Sequence, residues 1–247
     1  MSKDAKINSK NSSNYIYGRV PSLDVLKNKN AKRVYLQAGF SETNILNEIK
    51  NQKIECTFVP QSKLDELSRS GNHQGIVVEA KPFEYSSLEQ ILNATKGKQN
   101  PLILILDEIE DPHNFGAILR SCDAFGVDGV IIKSRNQVPL NMTVAKVSTG
   151  AVDYVKVAQV NNISVAISKL KENGFWVYAA EGSGKDNYNQ IKFDGAVALV
   201  VGSEGRGISK LVLDNSDFVI KIPMTGHVNS LNVSVSVGIL LSRIRNK

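Results

Sequence analysis

The stretch Leu102–Gly126, LILILDEIEDPHNFGAILRSCDAFG, decides the fold class. Its first five residues are apolar without alternation, the pattern of a strand covered on both faces of a parallel sheet. Asp111-Pro112 then stops the strand, and the spacing predicts a helix from His113 to Phe125. The same alternation continues downstream. Strands are predicted over Gly129–Ile132, Tyr154–Val157, Phe175–Ala180, Ala196–Val201 and Phe218–Ile222. Helices are predicted around Val144, over Ile163–Glu172 with Asn173-Gly174 closing it, and over Leu231–Arg245. This is an α/β domain with a parallel sheet, spanning 101–247. The lone Trp176, inside the strand FWVYAA, reads as a core residue.

Upstream lies a shorter α/β run over 15–80. Helices are predicted at Pro21–Lys27, Glu42–Lys50 and Ser62–Arg69, the last with Ser62 as its N-cap. Strands fall at Arg33–Gln37, Ile54–Val59 and Ile76–Ala80, which suggests a small domain with a largely parallel sheet. Lys81–Asn100 shifts in composition and reads as the linker. Residues 1–14 are Ser/Asn/Lys-rich, are expected to be disordered, and lack the apolar stretch of a secretory signal.

Bulk properties narrow the class. The 247 residues are 42% hydrophobic, enough for a real core, and no window is apolar enough to span a membrane. Cys56 and Cys122 lack metal spacing and read as small buried residues in a reducing cytosol. His73, His113 and His227 are scattered, so no metal site is expected. The net charge of +6 suits a polyanionic partner, although many unrelated proteins share it.

Three segments hold more special residues than a core requires. In the first, Asn114 and Arg120 sit on the helix after the buried strand, where both could face the mouth of the sheet. A helix cap and a solvated basic residue are the plain alternatives. In the second, ALVVGSEGRGIS (198–209), a strand runs into Gly202, Gly205 and Gly207. The order G-x-x-G-x-G and the carboxylate Glu204 inside the loop argue against a dinucleotide pyrophosphate site. GSGK (182–185) lacks the first half of a phosphate-binding loop. The third, KIPMTGHVNSLNVSVSVG (221–238), runs from a strand end into a helix of alternating Val and Ser, whose small residues suggest close backbone contact.

Together DPHNFGAILR with AFGV, VGSEGRGIS and IPMTGHVNSLNVSVSVGILL resemble the three motifs of the SpoU (TrmH) family of RNA 2'-O-methyltransferases, in order and spacing. YGRVPSLDVLK and HQGIVVEA resemble the substrate-binding domain attached to many members, and the combination is most similar to bacterial 23S ribosomal RNA guanosine 2'-O-methyltransferases. The resemblance implies a trefoil-knotted (SPOUT-type) α/β methyltransferase domain behind a small N-terminal α/β RNA-binding domain. It also implies S-adenosyl-L-methionine as cofactor, ribosomal RNA as substrate, a homodimer and a cytoplasmic location. Carried over residue by residue, it places catalysis on Asn114, Arg120, Glu204 and Asn232, and cofactor binding on Gly202, Ile222, Pro223, Met224, Ser230 and Leu231. Ser203 stands where the family often has Asn, and Arg243 where relatives often carry Glu. A transfer-RNA or adenosine methyltransferase, or a non-enzymatic RNA-binding assembly factor, would carry the same fold.

Overall fold

The computed structural model describes residues 14–227 and 230–246. The expected disordered start falls outside them up to residue 13. The chain divides into two compact units, Met1–Phe83 and Glu84–Lys247.

The first unit is a four-stranded sheet with three helices. Its strands are β1 (Asn14–Tyr17), β2 (Ala31–Gln37), β3 (Glu55–Val59) and β4 (Ile76–Ala80), and its helices are α1 (Arg19–Lys27), α2 (Thr43–Asn51) and α3 (Gln61–Leu67). The sheet order is β1-β4-β2-β3, and only β2 and β3 pair in parallel, whereas β4 runs antiparallel to both its neighbours. The largely parallel sheet expected from the sequence is therefore corrected to a mixed one. α3 is only seven residues, about 10 Å, and the chain turns back after it over 68–75. The turn after it delivers β4 to the end where β2 finishes, with Leu36 opposite Ile76. Ser62 is not the N-cap: α3 opens one residue earlier, behind Pro60, without a side-chain cap. Val34, Leu36, Leu64 and Ile76 to Val78 form the dry centre.

The second unit is a seven-stranded, wholly parallel sheet. In chain order it contains α4 (Leu88–Thr95), β5 (Leu102–Asp107), α5 (Pro112–Ala124), β6 (Gly129–Lys133), α6 (Met142–Val147), β7 (Val157–Val160), α7 (Ile163–Glu172) and β8 (Phe175–Ala180). The short β9 (Asp186–Asn187), then β10 (Ala196–Gly202), α8 (Lys210–Asp214), β11 (Phe218–Lys221) and α9 (Val233–Arg245) complete it. The strand order is β7-β6-β5-β10-β8-β11-β9. Leu102 to Leu106 are each fully buried, as a strand enclosed by helices on both faces demands. Chain order and strand order part company where β10 inserts between β5 and β8. Open α/β sheets bind ligands beyond the carboxyl ends of strands at such a switch point.

Several sequence expectations shift here. Part of the expected linker is α4, closed at its start by a Ser87–Gln90 capping box; it packs on β7 and buries Ile91 in the second unit's core. β7 begins at Val157 rather than Tyr154, because Gly150 takes a left-handed φ of 94° and starts a one-turn helix over 151–153. Tyr154 is left exposed. Trp176 is not a core residue but 52% exposed. On that edge β11 pairs with β8 only from Tyr178 onward, so Trp176 has a neighbouring strand on one side alone, at Val197 of β10, and leans on Phe218 with ring centroids 5.8 Å apart. Cys122 is buried, which pushes its thiol pKa well up and keeps it unreactive, while Cys56 is only partly buried.

Candidate functional site

The carboxyl ends of β5, β8, β10 and β11 converge with the start of α9. β10 ends at Gly202, and the chain folds back so tightly that Ser203 and Gly207 pair as a bridge. A Cβ on Gly202 would stand 2.1 Å from the Gly207 carbonyl oxygen, so only glycine fits the turn. Gly207 has a φ of 66° and packs on the Glu181 carboxylate. That carboxylate accepts from the Ile208 N–H at 3.1 Å and from the Gly182 N–H at 3.1 Å, which holds the loop's exit.

Asp107, at the end of β5, is 1% exposed, and its Oδ2 accepts from the Ser209 N–H at 2.9 Å. Its Oδ1 has no hydrogen-bond partner but lies 3.6 Å from the Lys133 ammonium. Lys133 donates to Glu108 at 2.6 Å, and Glu108 faces the Arg206 guanidinium at 3.5 Å. The hydrogen bond from Lys133 holds the Glu108 carboxyl below its usual range and raises the Lys133 ammonium above its own. Glu108 itself sits at a φ of 65°, an uncommon conformation for a residue with a side chain. These contacts fix the glycine loop from beneath. Glu181 and Asp107 were not anticipated. Their signal was there: each is a carboxylate that directly follows or ends an apolar strand.

At the loop's tip three distant segments meet. Asp111, not Asn114, caps α5, its carboxylate accepting from the His113 N–H at 2.9 Å. That frees Asn114, whose Nδ2 donates to Glu204 Oε1 at 3.1 Å and whose Oδ1 accepts from Asn232 Nδ2 at 2.9 Å. Asn232 Nδ2 also donates to Glu204 Oε1 at 2.7 Å, and the Val233 N–H reaches the same oxygen at 3.2 Å. Beside Asn114, α5 and α6 lie close. A Cβ on Gly116 would stand 2.6 Å from the Val147 Cβ.

Arg120 does not join this cluster. It is exposed, and among the described residues its guanidinium has no hydrogen-bond or ion-pair partner. Six residues at about 100° each leave it about 120° around α5 from Asn114 and about 9 Å along, so the shared facing expected from spacing does not hold within one chain.

Two hollows flank the cluster. One, of about 330 Å³, lies among Gly202, Ile222, Met224, Ser230 and Leu231, five of the six expected cofactor residues, with Pro223 outside its lining. Val201 and Leu240 add apolar wall, and the Glu181 and Glu204 carboxylates stand at its rim. The other, of about 240 Å³, is lined by Ile109, Asp111, Asn114 and Arg206. Ser203, Glu204, Gly205, Arg206 and Val233 are common to both. Apolar faces, exposed loop backbone and two carboxylates fit a compact ligand with a flat ring and a cationic centre. The two carboxylates would repel a pyrophosphate, and the Arg206 guanidinium of the same wall already faces Glu108 at 3.5 Å. The helix behind the site, α9, starts at Asn232, whose Oδ1 accepts from the Ser234 and Val235 N–H groups. Arg243 near its end holds the carbonyl of Ile191 at 3.1 Å. At Gly238 the small residues meet no close contact among the described residues, since a Cβ there would meet open space.

Comparison with known proteins places this architecture. The model of the SpoU rRNA methylase family matches residues 101–242, and that of RNA 2'-O ribose methyltransferase substrate binding matches residues 15–86. A protein of Staphylococcus aureus (strain COL), named as a TrmH family tRNA/rRNA methyltransferase, is 47% identical over 219 residues, 87% of this chain and 88% of that protein. The fold is shared with an AdoMet-bound rRNA methyltransferase of Sinorhizobium meliloti (TM-score 0.66, 23% identity, 94% of this chain and 86% of that one). It is shared also with the SpoU methyltransferase AviRb of Streptomyces viridochromogenes in complex with AdoMet (TM-score 0.69, 16% identity, 94% and 89%). With both family models matched and a relative 47% identical over most of its length, the chain belongs to the SpoU (TrmH) family of RNA methyltransferases.

Proposed function

We propose that the chain transfers a methyl group from S-adenosylmethionine to a ribose 2'-hydroxyl of ribosomal RNA, at a guanosine of the large-subunit RNA. The observation that carries this reading is the cluster of Asn114, Glu204 and Asn232 between two hollows, with Glu204 in the wall of each. The hollow beside Ile222, Met224 and Leu231 suits the cofactor, and the one beside Asn114 suits the ribose. Bound there, S-adenosylmethionine supplies an electrophilic methyl group on a sulfonium. The chain's own task is to align the hydroxyl in line with it and to help its proton away.

Asn114 and Glu204, held by Asn232, position the ribose. Arg120 grips the RNA phosphate and stabilises the developing alkoxide, with the phosphate taking the proton, since a guanidinium does not act as a simple base. Its lack of a partner among the described residues supports a site completed by a second copy. Open space at Gly238 and the exposed Val235 on α9 support a dimer packed along that helix. The trefoil knot implied for the second and third motifs belongs to the same reading, as does work in the cytoplasm.

The test is a map of 2'-O-methyl sites in ribosomal RNA from cells with and without the protein, beside calorimetry with S-adenosylmethionine and with NAD. One large-subunit guanosine should lose its methyl group without the protein, and only S-adenosylmethionine should bind. A methylation change confined to transfer RNA would overturn the ribosomal assignment, and NAD binding without S-adenosylmethionine binding would overturn the cofactor.

A further inference from the structure

The first unit carries a hollow of about 730 Å³ at the end of its sheet where β2 stops and β4 begins. Its wall holds four amide side chains: Gln74, which accepts from the Arg19 N–H at 2.9 Å, and three others, Gln37 at the end of β2, Gln61 at the start of α3, and Asn72 before β4. Among the described residues, none of the three side chains has a hydrogen-bond partner. Each amide offers donors beside an acceptor, which is the pairing chemistry of a nucleobase edge. The Arg19 guanidinium lies 5.8 Å from the centroid of the Phe40 ring, in the same wall. A flat cation and an aromatic face are the surfaces on which an unstacked base rests.

The loop that bears Asn72 is held rigidly. His73 is 7% exposed, its Nδ1 accepts from the Gly75 N–H at 3.0 Å, and its Nε2 faces Asp65 at 3.2 Å. The ring is thus occupied in holding the loop and is closed to a ligand. Gln74 and Gly75 both take left-handed φ values, 50° and 82°. For Gln74 that costs about 1 kcal/mol, which the His73 contacts must offset. The charges nearby sort the ligand class. Glu42 already pairs with Arg19 at 2.5 Å, and Asp65 stands in the wall, so the hollow disfavours a bare phosphate and favours a neutral base.

We infer that this hollow takes one unpaired nucleotide of the RNA substrate, its base edge read by Gln37, Gln61 and Asn72 and its face resting on Phe40 and Arg19. The inference rests on the reading of the chain as an enzyme of RNA. A base inside a duplex cannot enter, because its edge is paired and its faces are stacked. The site therefore selects RNA with a splayed base in a loop or bulge.

The test uses the full chain and a short single-stranded RNA carrying 2-aminopurine, beside the same strand annealed to its complement. Asn72→Ala, Gln37→Ala and Phe40→Ala are compared with wild type, and S-adenosylmethionine binding is measured in each. The single strand should bind at least about tenfold tighter than the duplex with its fluorescence changed, and each variant should lose about tenfold, the scale of one stacked or paired base. Asn72 is exposed, so that variant remains informative even where Phe40→Ala unfolds. Equal binding of strand and duplex, or unchanged binding by Asn72→Ala and Gln37→Ala, overturns the inference and leaves the methyltransferase reading standing. A strand preference that the variants abolish, in a protein that never binds S-adenosylmethionine, supports the base site and overturns the methyltransferase reading.

Discussion

Glu204 and Asn232 are 28 residues apart in the chain and joined by a 2.7 Å hydrogen bond, and the two ends of the Asn232 amide do different work. Its oxygen caps α9, and its nitrogen donates to Glu204 and Asn114. The start of the last helix and the orientation of the glycine loop are thereby one structural unit.

Asn232→Asp separates the two tasks. Aspartate caps a helix as well as asparagine does, so the melting temperature should fall by no more than a few degrees. The cluster, however, loses its donor and gains a carboxylate against Glu204. Single-turnover methyl transfer should fall by about a hundredfold, the scale of removing one well-placed polar group. Wild-type turnover would show that the cluster plays no part in the chemistry.

Two glycines should fail in different ways when changed to alanine. At Gly202 the new methyl would collide with the Gly207 carbonyl, so the loop must open and S-adenosylmethionine affinity should drop at least about tenfold, or 1.4 kcal/mol. At Gly116 it would press on Val147 and the Val144 carbonyl and force α5 from α6. The expected cost there is about 1–3 kcal/mol of stability, read by denaturant titration.

Arg120 tests the two-copy site. Arg120→Ala and Arg120→Lys should both keep cofactor affinity and both lose about a hundredfold in turnover, because a lysine cannot grip phosphate and hydroxyl with a planar fork. Mixing Arg120→Ala with Gly202→Ala should restore part of the activity if Arg120 serves the other copy's cleft. No recovery in a mixture shown by sedimentation to contain mixed dimers would confine Arg120 to its own chain.

The Glu108–Lys133 pair sets a pH dependence with two flanks. The Glu108 carboxyl is lowered on folding, so its contribution is present above about pH 4.5 and is lost as pH falls through the lower folded value. Lys133 is raised, so its contribution is present below about pH 10.5 and is lost as pH rises through the higher folded value. The stability difference between wild type and Glu108→Gln should be flat between these limits and shrink beyond each. A difference independent of pH into the acid range would mean that the pair contributes no net stability.

Much of the second unit was legible because its signals are local. Phe175–Ala180 and Ile163–Glu172 are read to the residue, since an unbroken apolar run and an apolar stripe closed by Asn-Gly need no partner to be recognised. The three motif segments were legible for the same reason, each being a strand end followed by glycine, proline or a capping residue. Distance in the chain hid the rest. Where β11 begins to pair with β8 decides that Trp176 is exposed, and the turn of the chain over 68–75 decides that β4 runs antiparallel.

The sequence by itself determined the elements of the large sheet, the glycine turn at Gly202 and the family resemblance, because backbone preference and apolar period act over a few residues. Only the tertiary structure decided that Asn114, Glu204 and Asn232 share hydrogen bonds. Those bonds span 28 to 118 residues and exist because β10 inserts beside β5 and brings its loop under both α5 and α9. Arg120 is set aside by a more local fact, the pitch of the helix that carries it, which turns its side chain away from the cluster that Asn114 joins.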